Sequence, residues 1–439
     1  MRPSWIYSLL VGGVLLFSFS ACDDASTVGL GVGPDSLSGG DPVTLDIPPA
    51  LDTTTSPPQT GLELQPFSPF GNRGPWRVLV GRVDDPIGGT IEANGYFDVQ
   101  GRSDLPPEIL NADPDSLSAE LRFTPTYIHG DTASSVEFRV LNLSEEAKMD
   151  QARADTTFPV GSAIARRSIV PTDSLVTIDL PSSWLTSERL GVLRDTSDGG
   201  SAFNENFHGF KLVAAEESAV VGFSVGNATL RLIHTPDSTT ADFPGLKAFT
   251  HVERRNVPDF PNHQVLQGGV GVGLTMNWDF NAPPLDTLNR APLNRAEIFV
   301  PIDTSAMEAR SGSDSFARPL PKGYRVTAVR DQSSTVCSRI QTVFPLPQND
   351  TRCALPILPQ AIPGAALVPN RPAFPIFETS LRQTPAFTRY RVEVADRETS
   401  PSRSETVQPG LPSTLPVLVP LPEAEDIGSP HATLTVTPL

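Results

Sequence analysis

The chain has 439 residues, with 33 Lys and Arg against 50 Asp and Glu for a net charge of −17, and it carries 45 Pro, 33 Gly and 3 Cys. So acidic a chain excludes recognition of a phosphate backbone, which relies on clustered Lys and Arg, and no nucleic-acid partner is expected. Proline at about twice its usual share argues against a helical bundle, while 38% hydrophobic residues over this length suit two domains with real cores.

The first element in chain order is a leader. Arg2 is followed by an uncharged stretch from Trp5 to Phe19 rich in Leu, Val and Phe, and then by Ser20-Ala21-Cys22. This is the basic, apolar and small-residue order of a secretory signal over residues 1–21, and the apolar run is too short for a spanning helix of about 20 residues. The small residues before Cys22 resemble a bacterial lipobox, in which the cysteine is acylated and becomes the new N-terminus. Phe19 stands where that motif usually has Leu; the other reading of Cys22 is a free thiol after ordinary secretion. Cleavage removes one Arg and no acid, leaving 32 basic against 50 acidic residues, or −18.

Residues 22–74 are rich in Gly, Pro, Ser and Thr and read as a flexible tether. From Trp76 onward apolar and polar residues alternate with period two, at Val78/Val80, Ala119/Leu121/Phe123, Val136/Phe138/Val140, Val176/Ile178/Leu180, Val221/Phe223/Val225 and Ala228/Leu230/Leu232. Such alternation buries one face of each strand, and short strands divided by turn residues predict an antiparallel β-sandwich over residues 75–238. Two helices are expected inside it, one over Glu145 to Ala154 after a Ser144 cap and one over Ser183 to Val192. The turn-rich stretch from Pro236 to Pro244 marks the expected boundary. Beyond it, residues 239–439 read as a second, irregular β-rich domain with Pro-rich loops, an incomplete or partner-supported sheet with strands at Val265 to Trp278, Ala296 to Val300, Tyr324 to Val329, Tyr390 to Val394 and Thr433 to Val436.

With Cys22 acylated, Cys337 and Cys353 remain as an even pair in an oxidising compartment. A disulfide between them would close a loop of about 15 residues and stabilise by roughly 3 kcal/mol. The alternatives are two free thiols or a metal pair, the latter disfavoured because zinc wants four ligands and no His is near. No metal and no cofactor are expected.

Several turns form an ordered series: Asp85-Pro86-Ile87-Gly88-Gly89-Thr90, Gly130-Asp131-Thr132, Val140-Leu141-Asn142-Leu143, Phe207-His208-Gly209-Phe210-Lys211-Leu212, Gly268-Gly269-Val270-Gly271, Asn294-Arg295-Ala296-Glu297-Ile298 and Leu320-Pro321. Together, from about Cys22 to about Arg330, they resemble a family of exported Bacteroidota lipoproteins known only as a domain of unknown function. The resemblance implies a lipid-anchored envelope protein with β-rich domains and carries no catalytic residues. In such bacteria, acidic residues after the lipidated cysteine resemble a surface-export signal, which Asp23-Asp24 fit.

Motifs that could carry chemistry mostly have a structural explanation. Gly222-Phe223-Ser224-Val225-Gly226 matches a G-x-S-x-G nucleophile elbow, but a strand rather than a helix follows, so a hairpin is expected. The six histidines are scattered and mostly expected at the surface or at strand edges. Asp195 to Gly199 reads as a surface turn rather than a calcium loop, Glu216-Glu217 as opposite faces of one strand, and Gly268 to Gly273 as lacking the helix a phosphate loop needs. Asp followed by Ser or Thr recurs, and with the next residue it resembles a periplasmic O-glycosylation motif of Bacteroidota. The acceptors would be Ser36, Thr53, Ser116, Thr132, Thr156, Ser174, Ser238 and Thr287, and the alternative is that Asp-Ser and Asp-Thr simply form good turns. The expected function is a non-enzymatic binding or structural role at the outer membrane, with the protein surface-exposed; protein partnership ranks first, glycan binding second, and hydrolysis of envelope polysaccharide third.

Overall fold

The computed structural model describes residues 42–52, 77–149, 152, 156–268, 270, 274–288, 292–310, 315–318, 323–329, 355–357, 359–360, 368–369, 389–395, 414–421 and 429–437. The architecture is mainly β, in antiparallel sheets with short helices in the connections. In chain order the strands are β1 (Val43–Ile47), β2 (Ala50–Asp52), β3 (Arg77–Asp85), β4 (Gly89–Val99), β5 (Leu117–Phe123), β6 (Pro125–Asp131), β7 (Val136–Leu143), β8 (Val160–Ile169), β9 (Val176–Leu180), β10 (Phe210–Ala214), β11 (Ala219–Ser224), β12 (Thr229–His234) and β13 (Thr239–Arg255). They continue with β14 (His263–Gln267), β15 (Leu274–Asn277), β16 (Leu293–Phe299), β17 (Phe316–Ala317), β18 (Gly323–Val329), β19 (Leu355–Ile357), β20 (Pro359–Gln360), β21 (Val368–Pro369), β22 (Arg389–Ala395), β23 (Pro416–Pro420) and β24 (His431–Val436).

The first unit is a sandwich. One sheet runs β17-β6-β11-β3-β4-β13, and β10 continues along β4 beyond β3, carrying β7 and then β8. The facing sheet is β9-β5-β12-β13. Strand β13 belongs to both, because Thr239–Pro244 pairs with β12 while Gly245–Arg255 pairs with β4. It turns this corner at Gly245, where a Cβ would meet the Val225 carbonyl oxygen at 2.2 Å, so only glycine permits the approach. Between the sheets lies an aromatic core: Phe97, Phe123, Phe138, Phe210, Phe223 and Phe243 are wholly buried, and the Phe123 ring centroid is 5.1 Å from both Phe97 and Phe223. Strand β5 alternates buried and half-buried residues along its whole length, as period two predicts.

Strands β3 and β11 do not alternate: Val78, Leu79 and Val80 are all buried, as is every residue of β11. Their outward side chains Leu79, Val83 and Val220 pack with Leu415, against which Phe316 and Val270 also lie, so later chain segments cover the sheet as a third layer.

The second unit has a core of its own, built around Leu274, Met276, Trp278, Ile298, Val417 and Leu434. Its sheets run β1-β24-β16, β14-β23 and β19-β18-β22-β15-β2. Residues 43–52, expected to be flexible tether, instead supply β1 and β2. Val43 to Ile47 pairs with Val436 to Ala432, Ala50 to Asp52 pairs with β15, and the Ile47 carbonyl accepts the Trp278 indole N–H at 3.1 Å. The strand signal is the alternation of Val43, Leu45 and Ile47 with Thr44 and Asp46, between Pro42 and Pro48. The missing strands of the second sheet thus come from the chain's own beginning, and the sandwich is inserted between β2 and β14.

Three other expectations change. The turn at Pro236–Ser238 is the β12–β13 hairpin, with Asp237 accepting the Thr239 N–H at 2.9 Å, so residues 239–255 belong to the sandwich and the passage to the second unit follows Arg255. Residues 144–148 form a bend and irregular chain rather than the start of an α-helix, Met149 lies in a 3-10 turn, and residues 150, 151, 153 and 154 of the expected helix lie outside the described residues; Ala147, Met149 and Ala152 pack with Tyr96 and Phe249. The helix near residue 183 is split into a 3-10 turn at Ser182–Trp184 and an α-helix at Ser187–Leu193, whose Thr186 hydroxyl caps the Arg189 N–H at 3.2 Å.

Candidate functional site

The most concentrated polar chemistry among the described residues lies where the two units meet. Asp85 ends β3, and its Oδ1 accepts the N–H groups of Ile87 at 2.7 Å and Gly88 at 2.8 Å, closing the turn into β4. Gly89 completes it at φ 74°, where a Cβ would meet the Arg255 carbonyl oxygen at 2.3 Å. Ile87, at the tip, is fully buried in the core of the second unit. One five-residue turn therefore plugs one unit into the other and fixes a carboxylate at the seam.

Asp85 Oδ2 receives His129 Nε2 at 2.8 Å and Arg318 through Nη2 at 2.9 Å and Nε at 3.2 Å. The side chains of Asp85 and His129 are 0% exposed and that of Arg318 is 6% exposed. On the other side of the imidazole, His129 Nδ1 lies 2.9 Å from Thr414 Oγ1, which is 3.0 Å from the Tyr127 hydroxyl. The Thr414 N–H donates to that same Tyr127 oxygen at 3.2 Å, and Gln267 Nε2 donates to the Thr414 carbonyl at 3.1 Å. β6 places Tyr127 and His129 on one face, two residues apart, while Arg318 follows β17, which pairs with β6 at Gly130 and Asp131.

One neutral tautomer satisfies every group in this chain: Thr414 N–H to Tyr127, Tyr127 O–H to Thr414 Oγ1, Thr414 O–H to His129 Nδ1, and His129 Nε2–H to Asp85. The single carboxylate is balanced by the single guanidinium. Burial pushes the Asp85 carboxyl up, but the His129 hydrogen bond, the Arg318 guanidinium and the Gly88 N–H outweigh it and hold it at about 2. A buried set this fully paired specifies one docking geometry, and removing any charged partner strands the other.

Hydroxyl, imidazole and carboxylate in this order are also the parts of a nucleophile, base and orienting acid. Thr414 and His129 are 0% exposed, so in this conformation no substrate reaches them and the set fastens the two units. A second, smaller pair lies beyond it: His263 Nε2 bonds Asp303 Oδ2 at 2.8 Å, while Asp303 Oδ1 caps the Thr304–Glu308 helix through the Ala306 N–H at 2.8 Å.

His129 is the residue that sequence reasoning missed, since the histidines were expected mostly at surfaces and strand edges. Its readable signal was the shared face with Tyr127; its partners lie 44 residues or more away. His251 is also buried, at 8% exposure. Ser224 is buried beside a 3-10 turn at Val225–Asn227, and β11 and β12 belong to different sheets, so the G-x-S-x-G match is a crossover between sheets rather than the expected hairpin. Asp195 accepts the Ser197 N–H at 2.9 Å in an exposed turn, and Glu216 and Glu217 sit in the bend between β10 and β11, where Glu217 meets Arg82 at 3.3 Å, not on a strand. Among the described residues no group of three or more His, Cys, Asp or Glu is placed to hold a metal, and no helix is long and apolar enough to cross a membrane.

Of the glycosylation candidates, Ser174, Ser238 and Thr287 are exposed, whereas Ser116, Thr132 and Thr156 are half-buried. Three hydroxyls are engaged: Ser116 with Asp113 O at 2.8 Å, Thr132 with Ser315 O at 3.0 Å and Thr287 with Pro284 O at 2.6 Å. Cys22, Ser36, Thr53, Trp76, Cys337 and Cys353 lie outside the described residues. Comparison with protein-family models, with curated proteins and with solved structures finds no match to this chain.

Proposed function

We propose that this chain is a lipid-anchored protein of the cell envelope, exported through residues 1–21, acylated at Cys22 and held at the outer membrane, with its folded β units facing outward. Its role is non-enzymatic: a rigid scaffold that binds a protein partner. The observation that carries this reading is the use made of the acid, base and hydroxyl at the centre of the fold. Asp85, His129, Arg318 and Thr414 are sealed and mutually satisfied, so their chemistry is spent on locking two β units together rather than on a substrate. The acidic balance of −17 suits a solvated exported surface. A hydrolase would have to open this seam to expose Thr414.

The test is metabolic labelling of the native host with an alkyne-bearing fatty acid, followed by protease shaving of intact cells and crosslinked purification. Label retained by the wild type and lost in Cys22→Ser, with shaving of the folded part and recovery of a reproducible outer-membrane protein, is the expected result. Unlabelled protein, or protein released into the medium, overturns the anchored reading. Intact-mass measurement of the same material tests glycosylation, expected at the exposed Ser174, Ser238 and Thr287 if the Asp-Ser and Asp-Thr motifs are used.

A further inference from the structure

Two of the turns singled out in the sequence meet at a place the junction does not use. Phe207-His208-Gly209 leads into β10 and Leu141-Asn142-Leu143 ends β7; Phe210 pairs with Asn142, and the Leu143 N–H donates to the Gly209 carbonyl at 3.1 Å. Gly209, at φ 83°, lies so close to β4 that a Cβ would meet the Phe97 carbonyl oxygen at 2.5 Å. Between this crossing and the helix Ser187–Leu193 is a half-open cavity of about 220 Å³, lined by Asn142, Glu188, Arg189, Asn206, Phe207 and His208 among others.

Its wall is held rigidly. Trp184, buried at 3% exposure, donates its indole N–H to Asn142 Oδ1 at 2.9 Å, and the Arg189 guanidinium lies 4.7 Å from the Trp184 ring centroid and donates to the Trp184 carbonyl at 3.3 Å. Asn206 spends its Nδ2 on Ala202 O at 2.8 Å. What remains is a mixed set: the Asn142 amide N–H groups and further Arg189 N–H groups as donors, the Asn206 carbonyl and Glu188 carboxylate as acceptors. His208, which also lines the cavity, has its Nδ1 buried without a hydrogen-bond partner.

The Glu188 and Arg189 charges offset each other, so the wall is neutral but offers donors and acceptors side by side. A hydroxyl group, which donates and accepts at once, matches such a wall, whereas an anion would face the Glu188 carboxylate. The volume is below the roughly 300 Å³ at which drug-sized pockets begin, so it suits a single ring. We propose that this cavity binds one residue of a neutral carbohydrate. The proposal is independent of lipid anchoring and stands whether or not Cys22 is acylated.

Saturation-transfer NMR on the full mature chain in detergent, with glucose, galactose and N-acetylglucosamine as separate probes and inorganic phosphate as the anionic control, tests it. At least one sugar is expected to receive saturation, and Asn206→Ala and Glu188→Ala should each weaken its binding about tenfold, the loss of one good hydrogen bond, with unchanged melting. Absence of transfer to all three sugars, equal transfer in both variants, or displacement of the sugar by phosphate overturns the proposal. The wild-type measurement decides even if a variant folds poorly.

Discussion

The two β units reach stability by opposite routes. The sandwich comes from one stretch, residues 77–255, joined at its edge by the two-residue β17, and has an interior of wholly buried phenylalanines. The second unit gathers its strands from both sides of that stretch, with β1 pairing to β24 across 391 residues at Thr44 and Thr435, and among the described residues its core has one fully buried large aromatic, Trp278. A continuous unit can close on itself, while a divided one depends on what brings its pieces together. Here that is the Asp85–Ile87 turn on one side and the N-terminal strands on the other.

The sharpest way to break the difference is at the seam. Asp85→Ala leaves the Arg318 guanidinium buried without its carboxylate and should cost about 3–5 kcal/mol in chemical denaturation. Ile87→Ala empties a site in the core of the second unit from a residue carried by the first, and should cost about 2–5 kcal/mol. In both variants the second unit should lose its cooperative transition at lower denaturant than the sandwich.

pH separates the units in a different way. The Asp85 carboxyl, held at about 2 against an ordinary 3.8, binds its proton less readily folded than unfolded. Its contribution, on the order of 2 kcal/mol, is therefore complete above about pH 4 and lost as pH falls through about 2. Asp98 in the sandwich behaves oppositely. Burial raises its carboxyl to about 7, helped by Glu146 and opposed by the Val99 N–H and Lys247. The folded chain then holds a proton that the unfolded chain gives up, so stability falls as pH rises from about 4 through about 7. Asp98→Asn should flatten that limb in a urea-midpoint profile and leave the acid limb in place. The smallest effect belongs to the sandwich alone: Thr186→Ala removes the cap of the Ser187–Leu193 helix, worth about 1 kcal/mol, without moving the transition of the second unit.

Much of the sandwich was legible because alternation marks a strand whatever its partner; among its described strands only β3–β4, β7–β8 and β12–β13 are consecutive strands that also pair. Alternation at Ala119, Leu121 and Phe123 places β5 directly, since one face packs into the core between the sheets and the other is only half-buried, while β9 and β12 flank it within its own sheet. The same rule finds β3 at Val78/Val80 and β11 at Val221/Phe223 but is blind to their second face, which is covered by Leu415 and Phe316 from far along the chain. It also passed over Val43 to Ile47, where five alternating residues sit within a Gly- and Pro-rich stretch and the partner strand is at the other end of the sequence. The junction was partly visible: the Asp85-Pro86-Ile87-Gly88-Gly89 turn stood out, but nothing in the sequence ties Asp85 to His129, Arg318 and Thr414, because that proximity is a product of the whole fold.

If the sealed Asp85 cluster fastens the two units, breaking it frees the second unit before the sandwich core. Hydrogen exchange of the wild type and Asp85→Ala, read by mass spectrometry under native conditions, tests it directly. The expected result is a loss of protection in β14 and β23 and around His129, with the amides of β5 and β12 still protected. Unchanged protection in β14 and β23, or an even loss that reaches β5 and β12 equally, would contradict it.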